Sequence, residues 1–360
     1  MSANAGINIF VTGVTGYVGG AVVGRLLSHP RSSDFRITAL VRSPEKAEKL
    51  RLLGITPAIG SLDDSDLLHN LCSESDVVLA MADSDHYSSV KAMLEGQKER
   101  FETSGKQGIF INTPKSFSRS CLGVLVDDAA GMYQYDTIWN DTNPAQMATL
   151  APTQMHRDVD LMIVEADKEG YVKTYIVLPS TIYGVAQGLL VDLGIANNRS
   201  MQIPAIVRAS LDRKQGGMVG LGKNVWPNVD IEEQADFFII LLDTALDKPD
   251  ALGHGADGYY FGESGEHSLY DVGKAVAEAL VDLGIGQSRE PATFTKDEVD
   301  KYFGGSNYLG SNSRCRADHA RSLGWNPRKS TTDMLASIRV EVEEEIKASA
   351  EGKLRKDQKL

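Results

Sequence analysis

The stretch I7-N-I-F-V-T-G-V-T-G-Y-V-G19 joins a short apolar, β-branched run to three regularly spaced glycines. It predicts a strand, a tight turn and the start of a helix, in that order. Gly13 permits the turn, Gly16 lets backbone amides approach a pyrophosphate, and Gly19 allows the helix to pack on the strand. The amino end of the helix then faces the bound anion. We therefore predict a dinucleotide site whose phosphate-binding residues are Thr12, Gly13, Thr15, Gly16, Tyr17, Val18 and Gly19.

Beyond this stretch, short apolar runs alternate with helical patterns as far as residue 183. The runs include ITALVRS, DVVLAMA, GIFINT and TYIVLPS, each bounded by Gly, Pro, Ser or Asp. Such alternation is typical of a parallel sheet covered by helices on both faces. We predict an α/β protein with a Rossmann-type doubly wound parallel sheet over residues 1–185. A smaller C-terminal α/β substrate lobe follows over residues 186–345, some of whose segments return to the Rossmann core. Residues 346–360 are charged, which predicts a flexible tail.

The composition narrows the class of protein. The chain has 360 residues, of which 42% are hydrophobic and 24% charged, and its formal net charge is −12. An acidic surface argues against nucleic acid or an anionic membrane as a partner, because both require basic side chains. Cys72, Cys121 and Cys315 are scattered without metal-ligand spacing, which predicts neither disulfides nor a metal site. With no signal peptide or membrane-spanning run, we predict a soluble cytoplasmic protein, with a homodimer as one option.

The end of the second predicted strand indicates which dinucleotide is preferred. It reads L40-V-R-S43, whereas a site for NAD usually carries an acidic residue here that accepts the ribose 2′-hydroxyl. Arg42 offers instead a planar cation that can stack on adenine and pair with a 2′-phosphate, with Ser43 as a second donor. The alternative is a solvated surface arginine. We predict a preference for NADP(H) over NAD(H).

These motifs resemble those of the extended or atypical short-chain dehydrogenases/reductases, the NAD-dependent epimerase/dehydratase family. Residues 11–27, VTGVTGYVGGAVVGRLL, resemble the family's glycine loop, and G60-S-L-D63 resembles the loop after its third strand, with Ser61 where aspartate is usual. LPSTIYG, residues 178–184, resembles the segment that contacts the nicotinamide, with Leu178 in place of the common arginine. The resemblance implies further cofactor contacts from Ser61, Leu62, Ala80, Met81, Ala82, Pro179, Ser180 and Thr181.

In this family a tyrosine beside the substrate carbonyl transfers the proton, and a lysine one helical turn later lowers its pKa. A phenol is a poor acid-base group at neutral pH until a nearby cation stabilises the phenolate. The pair belongs on the helix after strand five. Y87-S-S-V-K91 has the spacing but follows strand four, and Y270-D-V-G-K274 lies in the C-terminal lobe. Because such pairs also arise by chance on any helix, we predict that neither is catalytic.

The segment M155-H-R-D-V-D-L-M-I-V-E165 lies where the family's catalytic helix should be, and it contains neither tyrosine nor lysine. Its His156 and Asp160 have the same spacing of four. They predict a histidine proton donor oriented by a carboxylate. The alternative is a simple helix start whose polar residues are solvated or paired locally.

Three other side chains are candidates for the catalytic region. Thr113 follows strand five in I111-N-T-P-K115, where a hydroxyl orients the substrate or caps the strand end. Tyr133 and Tyr135 lie on the irregular stretch that follows. Because this stretch can fold over the cofactor, either tyrosine is a reserve candidate for the proton donor.

The sequence thus predicts an NADP(H)-binding oxidoreductase that acts on a carbonyl or similar group of a small organic substrate held between the lobes. Two alternatives stay open. An epimerase or dehydratase acting on a nucleotide sugar needs cations for the diphosphate, and the candidates are Arg208, Arg213, Arg314 and Arg316. A cofactor-binding sensor or scaffold needs no catalytic pair. All three predict a bound dinucleotide.

Overall fold

The computed structural model of the chain describes residues 6–83, 85–113 and 121–350, and strands alternate with helices from its start. Up to residue 183 the elements are β1 (Ile7–Thr12), α1 (Tyr17–Leu27), β2 (Phe35–Val41), α2 (Pro44–Leu52), β3 (Thr56–Ile59), α3 (Ser65–Ser73), β4 (Val77–Ala80), α4 (Tyr87–Ser104), β5 (Gly108–Asn112), β6 (Trp139–Asn140), α5 (Pro144–Met147), α6 (Arg157–Lys168), β7 (Val172–Pro179) and β8 (Thr181–Tyr183).

The remaining elements form the smaller lobe and return once to the large sheet. They are α7 (Leu189–Asp192), α8 (Gln202–Arg213), β9 (Gly217–Met218), β10 (Val225–Asp230), α9 (Ile231–Asp247), β11 (Tyr259–Gly262), β12 (Gly265–Ser268), α10 (Leu269–Asp282), β13 (Ala292–Thr293), α11 (Lys296–Phe303), β14 (Cys315–Arg316), α12 (Asp318–Ser322) and α13 (Thr331–Ala350).

Seven strands form one parallel sheet in the order β3-β2-β1-β4-β5-β7-β11. Its central strands are buried on both faces, as the continuous apolar run of β4 shows. Helix α1 packs on α9, while α3, α4 and α6 contact one another. The strand order reverses between β1 and β4, so a crevice opens at the carboxyl ends of these strands. The prediction of an α/β, Rossmann-type doubly wound sheet is confirmed.

A second sheet and a second core make up the smaller lobe. In the sheet β12-β10-β8, β10 runs parallel to β8 and antiparallel to β12. Helices α8, α10 and α13 pack together around buried side chains such as Ile206, Val272 and Ile338. The two cores interleave along the chain, because Tyr183 lies in the second core whereas Phe261 of β11 lies in the first. The boundary at residue 185 stays a prediction.

Two element boundaries differ from the predictions. Helix α6 begins at Arg157, because His156 has a φ of 66° and left-handed backbone cannot continue a right-handed helix. Helix α13 extends to Ala350, so residues 346–350 of the predicted tail are helical, whereas residues 351–360 are not described.

Three observations concern the cysteines, metal-binding groups and membrane-spanning helices. Cys72 and Cys315 are buried and form no disulfide, and the side chain of Cys121 is not described. Within the described ranges, no group of three or more His, Cys, Asp or Glu side chains could hold a metal ion. None of the described helices is long and apolar enough to cross a membrane.

Candidate functional site

The loop after β1 has the geometry that its glycines predict. Gly13 has a φ of 81°, and its carbonyl accepts a hydrogen bond from the Gly16 amide at 2.8 Å, which closes the turn. A Cβ on Gly13 would overlap the Met81 carbonyl, and a Cβ on Gly19 would overlap the Gly13 carbonyl, so both positions require glycine. The Thr12 hydroxyl oxygen accepts a hydrogen bond from the Met81 amide at 3.2 Å. This bond holds the loop against the end of β4.

A cleft of about 550 Å³ opens beside this loop, within the usual size range of small-molecule and cofactor sites. Residues after β1, β2, β3 and β4 line it, because the carboxyl ends of parallel strands meet at one edge of the sheet. The predicted cofactor residues brought together there are Gly13, Thr15, Gly16, Tyr17, Arg42, Ser61, Leu62, Met81 and Ala82.

Other predicted cofactor residues do not line this cleft, and they are Thr12, Val18, Gly19, Ser43, Ala80, Pro179, Ser180 and Thr181. Several of them form hydrogen bonds in the structure around the cleft. The Ser43 side chain caps α2 by accepting the Lys46 amide at 3.3 Å, so it is committed to the helix. The buried Ser180 donates its amide to the Gly262 carbonyl at 3.0 Å, and the Thr181 hydroxyl bonds the Gln202 side chain at 3.3 Å. Hence this segment stabilises the junction of the two lobes.

The cleft also contains residues that sequence reasoning missed, namely Leu40, Val41, Lys46, Gly60, Asp63, Asp83, His86, Asn197 and Met201. Lys46 lies in the first turn of α2, close in sequence to Arg42, and this cation near the end of β2 is a signal that could have found it. Asn197 and Met201 come from the loop between α7 and α8, far along the chain. No local pattern in the sequence connects that loop with the glycine loop.

The charged groups of the cleft are unevenly arranged. Arg42 is exposed at the end of β2, and within the described ranges its guanidinium forms no ion pair. The Lys46 ammonium, nearby on α2, donates to the Ile195 carbonyl at 2.6 Å. Across the cleft, an Asp63 carboxylate oxygen pairs with His86 Nε2 at 3.0 Å. The end of the cleft at β2 therefore carries a guanidinium that can receive an anion.

His156 does not line the cleft; it lies at the amino end of α6 and is 4% exposed. Its Nδ1 pairs with an Asp85 carboxylate oxygen from the loop between β4 and α4. This contact corrects the prediction that Asp160 orients the ring. The left-handed backbone of His156 turns the residue out of the helix, so the spacing of four no longer aligns it with Asp160. Among the described residues, His156 Nε2 has no hydrogen-bond partner.

A glycine packs closely against His156 Nε2. A Cβ placed on Gly123 would lie 3.1 Å from His156 Nε2, 2.7 Å from Met155 Sδ and 3.2 Å from the Tyr308 hydroxyl. An imidazole nitrogen and a phenol from the C-terminal part of the chain therefore approach the same point. Asp85, Gly123, Met155, His156 and Tyr308 are called the proton-donor region below.

Asp160 occupies a different environment. It is fully buried, and neither carboxylate oxygen has a hydrogen-bond partner in the part of the chain that the structure describes. Burial raises the pKa of Asp160 to about 7. The adjacent Arg157 donates to the Tyr259 hydroxyl at 2.6 Å rather than to this carboxylate. Asp160 is therefore a buried titratable group of the core.

The other predicted catalytic side chains are dispersed. Thr113 is buried directly after β5, with its amide donating to the Ala80 carbonyl at 2.9 Å, and its role in substrate binding stays a prediction. Tyr133 and Tyr135 are exposed at the surface. The Tyr133 hydroxyl donates to Asp128 at 3.3 Å, and partial burial together with this carboxylate raises the pKa of Tyr133, which makes it a weaker acid. Neither tyrosine lines the cleft.

The two tyrosine–lysine pairs with catalytic spacing lie on the surface, as expected. Tyr87 is exposed at the start of α4, and the Lys91 ammonium pairs with Glu95 at 2.9 Å. In α10, Tyr270 and Lys274 both bind the Glu290 carboxylate, at 2.6 and 2.7 Å. None of these four residues lines the cleft.

The four arginines considered for a substrate diphosphate are all paired with carboxylates. Arg208 pairs with Glu345 at 3.0 Å and Arg213 with Glu298 at 3.2 Å. Arg314 and Arg316 share Glu266, at 3.0 and 3.3 Å. A diphosphate would have to displace these carboxylates before it could bind the guanidinium groups.

Comparison with known proteins shows relatives that span both lobes. Residues 7–99 match the model of the NmrA-like family. The chain is 29% identical over 337 residues to the oxidase ucsJ of Acremonium sp, covering 89% of this chain and 92% of that protein. It is 23% identical over 328 residues to an uncharacterised protein of Schizosaccharomyces pombe, covering 90% and 96% respectively.

Solved structures share the fold. A dTDP-glucose 4,6-dehydratase of Bacillus anthracis, in complex with NAD, has a TM-score of 0.62 and 16% identity, covering 94% of this chain and 97% of that one. A UDP-glucose 4-epimerase of Thermotoga maritima, with UDP-glucose, has a TM-score of 0.60 and 15% identity, covering 94% and 99%. At such identities the likeness establishes the fold. Together with the NmrA-like match, it confirms the resemblance to the extended short-chain dehydrogenases/reductases.

Proposed function

We propose that the chain is an NADP(H)-dependent oxidoreductase that reduces a carbonyl or similar group of a small organic substrate. The observation that carries the proposal is the cleft, in which the glycine loop lies beside an exposed Arg42 and no acidic side chain ends β2. The relatives support the reaction class, because one is named an oxidase and the solved neighbours include an NAD complex.

The residues present fit a dinucleotide. The Cβ positions of Gly13 and Gly19 are filled by backbone carbonyls, which leaves the loop close to the start of α1 with space for a pyrophosphate. Arg42 can pair with a 2′-phosphate through two donors. Lys46, in the first turn of α2, adds a second cation. NADPH supplies a hydride when it is bound in such a cleft.

His156 is the proposed proton donor. An Asp85 carboxylate on Nδ1 holds the ring, and Nε2, which lies close to Gly123, is the nitrogen left to donate a proton. In carbonyl reduction the role of His156 would be to give this proton to the substrate oxygen, which becomes the hydroxyl of an alcohol. The buried position of His156 keeps bulk water away from this nitrogen.

The nucleotide-sugar alternative is less well supported. Its candidate diphosphate ligands Arg208, Arg213, Arg314 and Arg316 already pair with carboxylates. A non-catalytic sensor would keep the cleft but would not need a buried imidazole that a carboxylate orients. We therefore favour the oxidoreductase.

The test is turnover of NADPH by the purified chain against a panel of aldehydes, ketones and imines. We expect at least one substrate to be reduced at a rate well above the protein-free control. If the protein binds NADPH and no member of the panel consumes it, the sensor takes the place of the reductase.

Cofactor preference is tested separately with Arg42→Ala and with Arg51→Ala, an exposed arginine of α2 that pairs with Glu48. Arg42→Ala is expected to weaken NADPH binding about ten- to hundredfold and NADH binding far less, because only NADPH carries the 2′-phosphate. Arg51→Ala should change neither affinity. Equal losses for both dinucleotides in Arg42→Ala would contradict the assignment of Arg42 to the 2′-phosphate.

A further inference from the structure

We propose that Arg199 is a positioning residue for the cofactor, through which the C-terminal helix α13 holds a strap over the glycine loop. The strap is residues 195–201, between α7 and α8. The proposal rests on the proposed function, because it requires the cleft to bind a dinucleotide. It extends the binding site to a helix that begins more than a hundred residues after the strap and does not line the cleft.

The strap is bound to the phosphate-binding side of the cleft at several points. The Asn197 amide donates to the Thr15 carbonyl at 3.0 Å, which joins the strap to the glycine loop itself. The Lys46 ammonium donates to the Ile195 carbonyl at 2.6 Å. A Cβ on Gly20 of α1 would overlap the Ala196 side chain, so the strap packs directly on that helix. Its Asn197 and Met201 line the cleft.

Arg199 connects the other side of the strap to α13. Its guanidinium bonds one Glu341 carboxylate oxygen through Nη2 at 2.6 Å and through Nε at 3.1 Å, and it bonds Glu345 through Nη1 at 3.0 Å. The exposed fractions of these side chains are 14% for Arg199, 1% for Glu341 and 4% for Glu345. One largely buried cation therefore pairs with two buried carboxylates, and removal of Arg199 leaves the charge of Glu341 without compensation.

Glu341 also acts on a residue of the cleft. Tyr17, the first residue of α1, lines the cleft and donates its hydroxyl to the Gly184 carbonyl at 2.5 Å. Burial raises the pKa of Tyr17, and the charge of Glu341 raises it further, whereas Arg199 lowers it. Arg199 thus has two effects that favour an anionic ligand. It fixes the strap, and it offsets carboxylates that would otherwise repel the phosphates.

Arg208 completes the group from α8, where it bonds the same Glu345 oxygen that Arg199 bonds, at 3.0 Å. Glu345 thus keeps a cation when Arg199 is replaced, whereas Glu341 pairs with Arg199 alone among the described residues. Loss of the Arg199–Glu341 pair should therefore act chiefly on the strap. The prediction follows that this pair, rather than the whole ionic group, sets the affinity for the dinucleotide.

The experiment measures NADPH affinity and dissociation rate for Arg199→Gln, Glu341→Gln and the double variant. Each single variant is expected to raise the dissociation constant about tenfold, mostly through faster release. The double variant should lose little more than either single variant, because both break one interaction. Arg199→Lys, which keeps one charged contact, should recover part of the loss. The value of kcat at saturating NADPH should change little, whereas KM for NADPH should rise.

The control is Glu263→Gln, which breaks the ion pair of a 4% exposed carboxylate with Arg321, an arginine that does not line the cleft. Glu263 is as buried as Glu345, but its partner Arg321 lies outside the strap. NADPH affinity should therefore stay within about twofold of wild type. Hydrogen exchange in the wild-type protein adds a readout that needs no variant. The Asn197 amide should exchange more slowly when NADPH is bound.

The outcomes separate the two proposals. If wild type binds NADPH and the folded Arg199→Gln and Glu341→Gln variants bind it equally well, the positioning role is overturned and the proposed function stands. The same holds if NADPH leaves exchange in the strap unchanged. If wild type binds neither NADPH nor NADH, the proposed function fails and the inference fails with it.

Discussion

The glycine loop and the proton-donor region lie at the same edge of the central sheet, yet they are built in different ways. The loop is one continuous stretch, in which Gly13 and Gly19 make room for backbone carbonyls only a few residues away or on the neighbouring strand. The proton-donor region combines Asp85, His156 and Tyr308 from three distant parts of the chain. A local motif defines the first region, whereas tertiary packing defines the second.

This difference explains where the family pattern is kept and where it is lost. A phosphate loop depends on backbone positions, so each of its glycines is required by steric constraints. A proton donor depends only on one titratable group at the correct point, and any element that reaches this point can supply it. The chain has a cleft beside its glycine loop, and His156, just before α6, pairs with Asp85 from another part of the chain. The predictions below test this contrast.

The largest effect is expected for Gly13→Ala. A methyl group there would collide with the Met81 carbonyl, and the φ of 81° is strained for alanine. We expect a loss of more than about 4 kcal/mol of unfolding free energy, or a folded protein without measurable NADPH binding. Thermal unfolding and cofactor titration measure the two outcomes.

Gly24→Ala is the matched control, because Gly24 lies within α1 and a Cβ there meets no atom within 4 Å. This change should leave NADPH binding unaltered and raise stability by up to about 1 kcal/mol, since alanine favours helix. A Gly13→Ala variant as stable and as strongly binding as Gly24→Ala would show that the loop is not sterically constrained.

The next effect concerns His156→Gln. If His156 donates the proton, kcat should fall about 10²- to 10⁴-fold while NADPH affinity stays constant, because the cleft is not altered. Asp85→Asn should give a smaller fall in kcat, since the ring loses its orienting carboxylate but keeps its proton. Steady-state kinetics with the substrate found in the panel, over a range of pH, measure both.

His69→Gln on α3 is the control, since His69 is partly exposed and pairs with Glu99 of α4. It should leave the pH profile of kcat unchanged. Should His156→Gln keep both the wild-type kcat and the wild-type pH profile, another group donates the proton and the Tyr308 hydroxyl becomes the first alternative.

The contrast also explains how far sequence reasoning could go. The sheet and the glycine turn follow from patterns within a few residues, and the structure has both of them as predicted. Arg42 lines the cleft, and its pairing with a 2′-phosphate stays a prediction. The pairing of His156 with Asp160 was wrong, because a helical spacing applies only inside a helix and His156 precedes α6. Asp85 and Asn197 could not be found, since only the folded chain brings them near His156 and Thr15.

A smaller effect is expected for Asp160→Asn, and it depends on pH. The folded-state pKa of Asp160 is about 7, above its ordinary value of 3.8, because burial disfavours the charged form. Between these pH values the folded chain holds a proton that the unfolded chain releases, so wild-type stability falls as pH rises through this window. Asp160→Asn should remove this slope and raise stability at pH 8 by on the order of 2 kcal/mol.

Denaturant unfolding from pH 4 to 8 measures this difference, with the exposed Asp158→Asn of the same helix as the control. Asp158→Asn should keep the wild-type slope. An unchanged slope in Asp160→Asn would mean that the carboxylate is charged and compensated in the folded protein. Asp160 would then be a candidate for the catalytic role that the sequence assigned to it.

The smallest effect is expected for Tyr87→Phe and Lys91→Met, the pair with the family's catalytic spacing. Both side chains are exposed on α4, and Lys91 pairs with Glu95 of the same helix. An exposed i, i+4 pair of this kind contributes little to stability, because water and salt screen it, and neither residue lines the cleft. Stability, NADPH affinity and kcat should all stay near wild type. A loss of kcat here as large as that of His156→Gln would reverse the contrast, because the motif would then carry the chemistry and the assembled region would not.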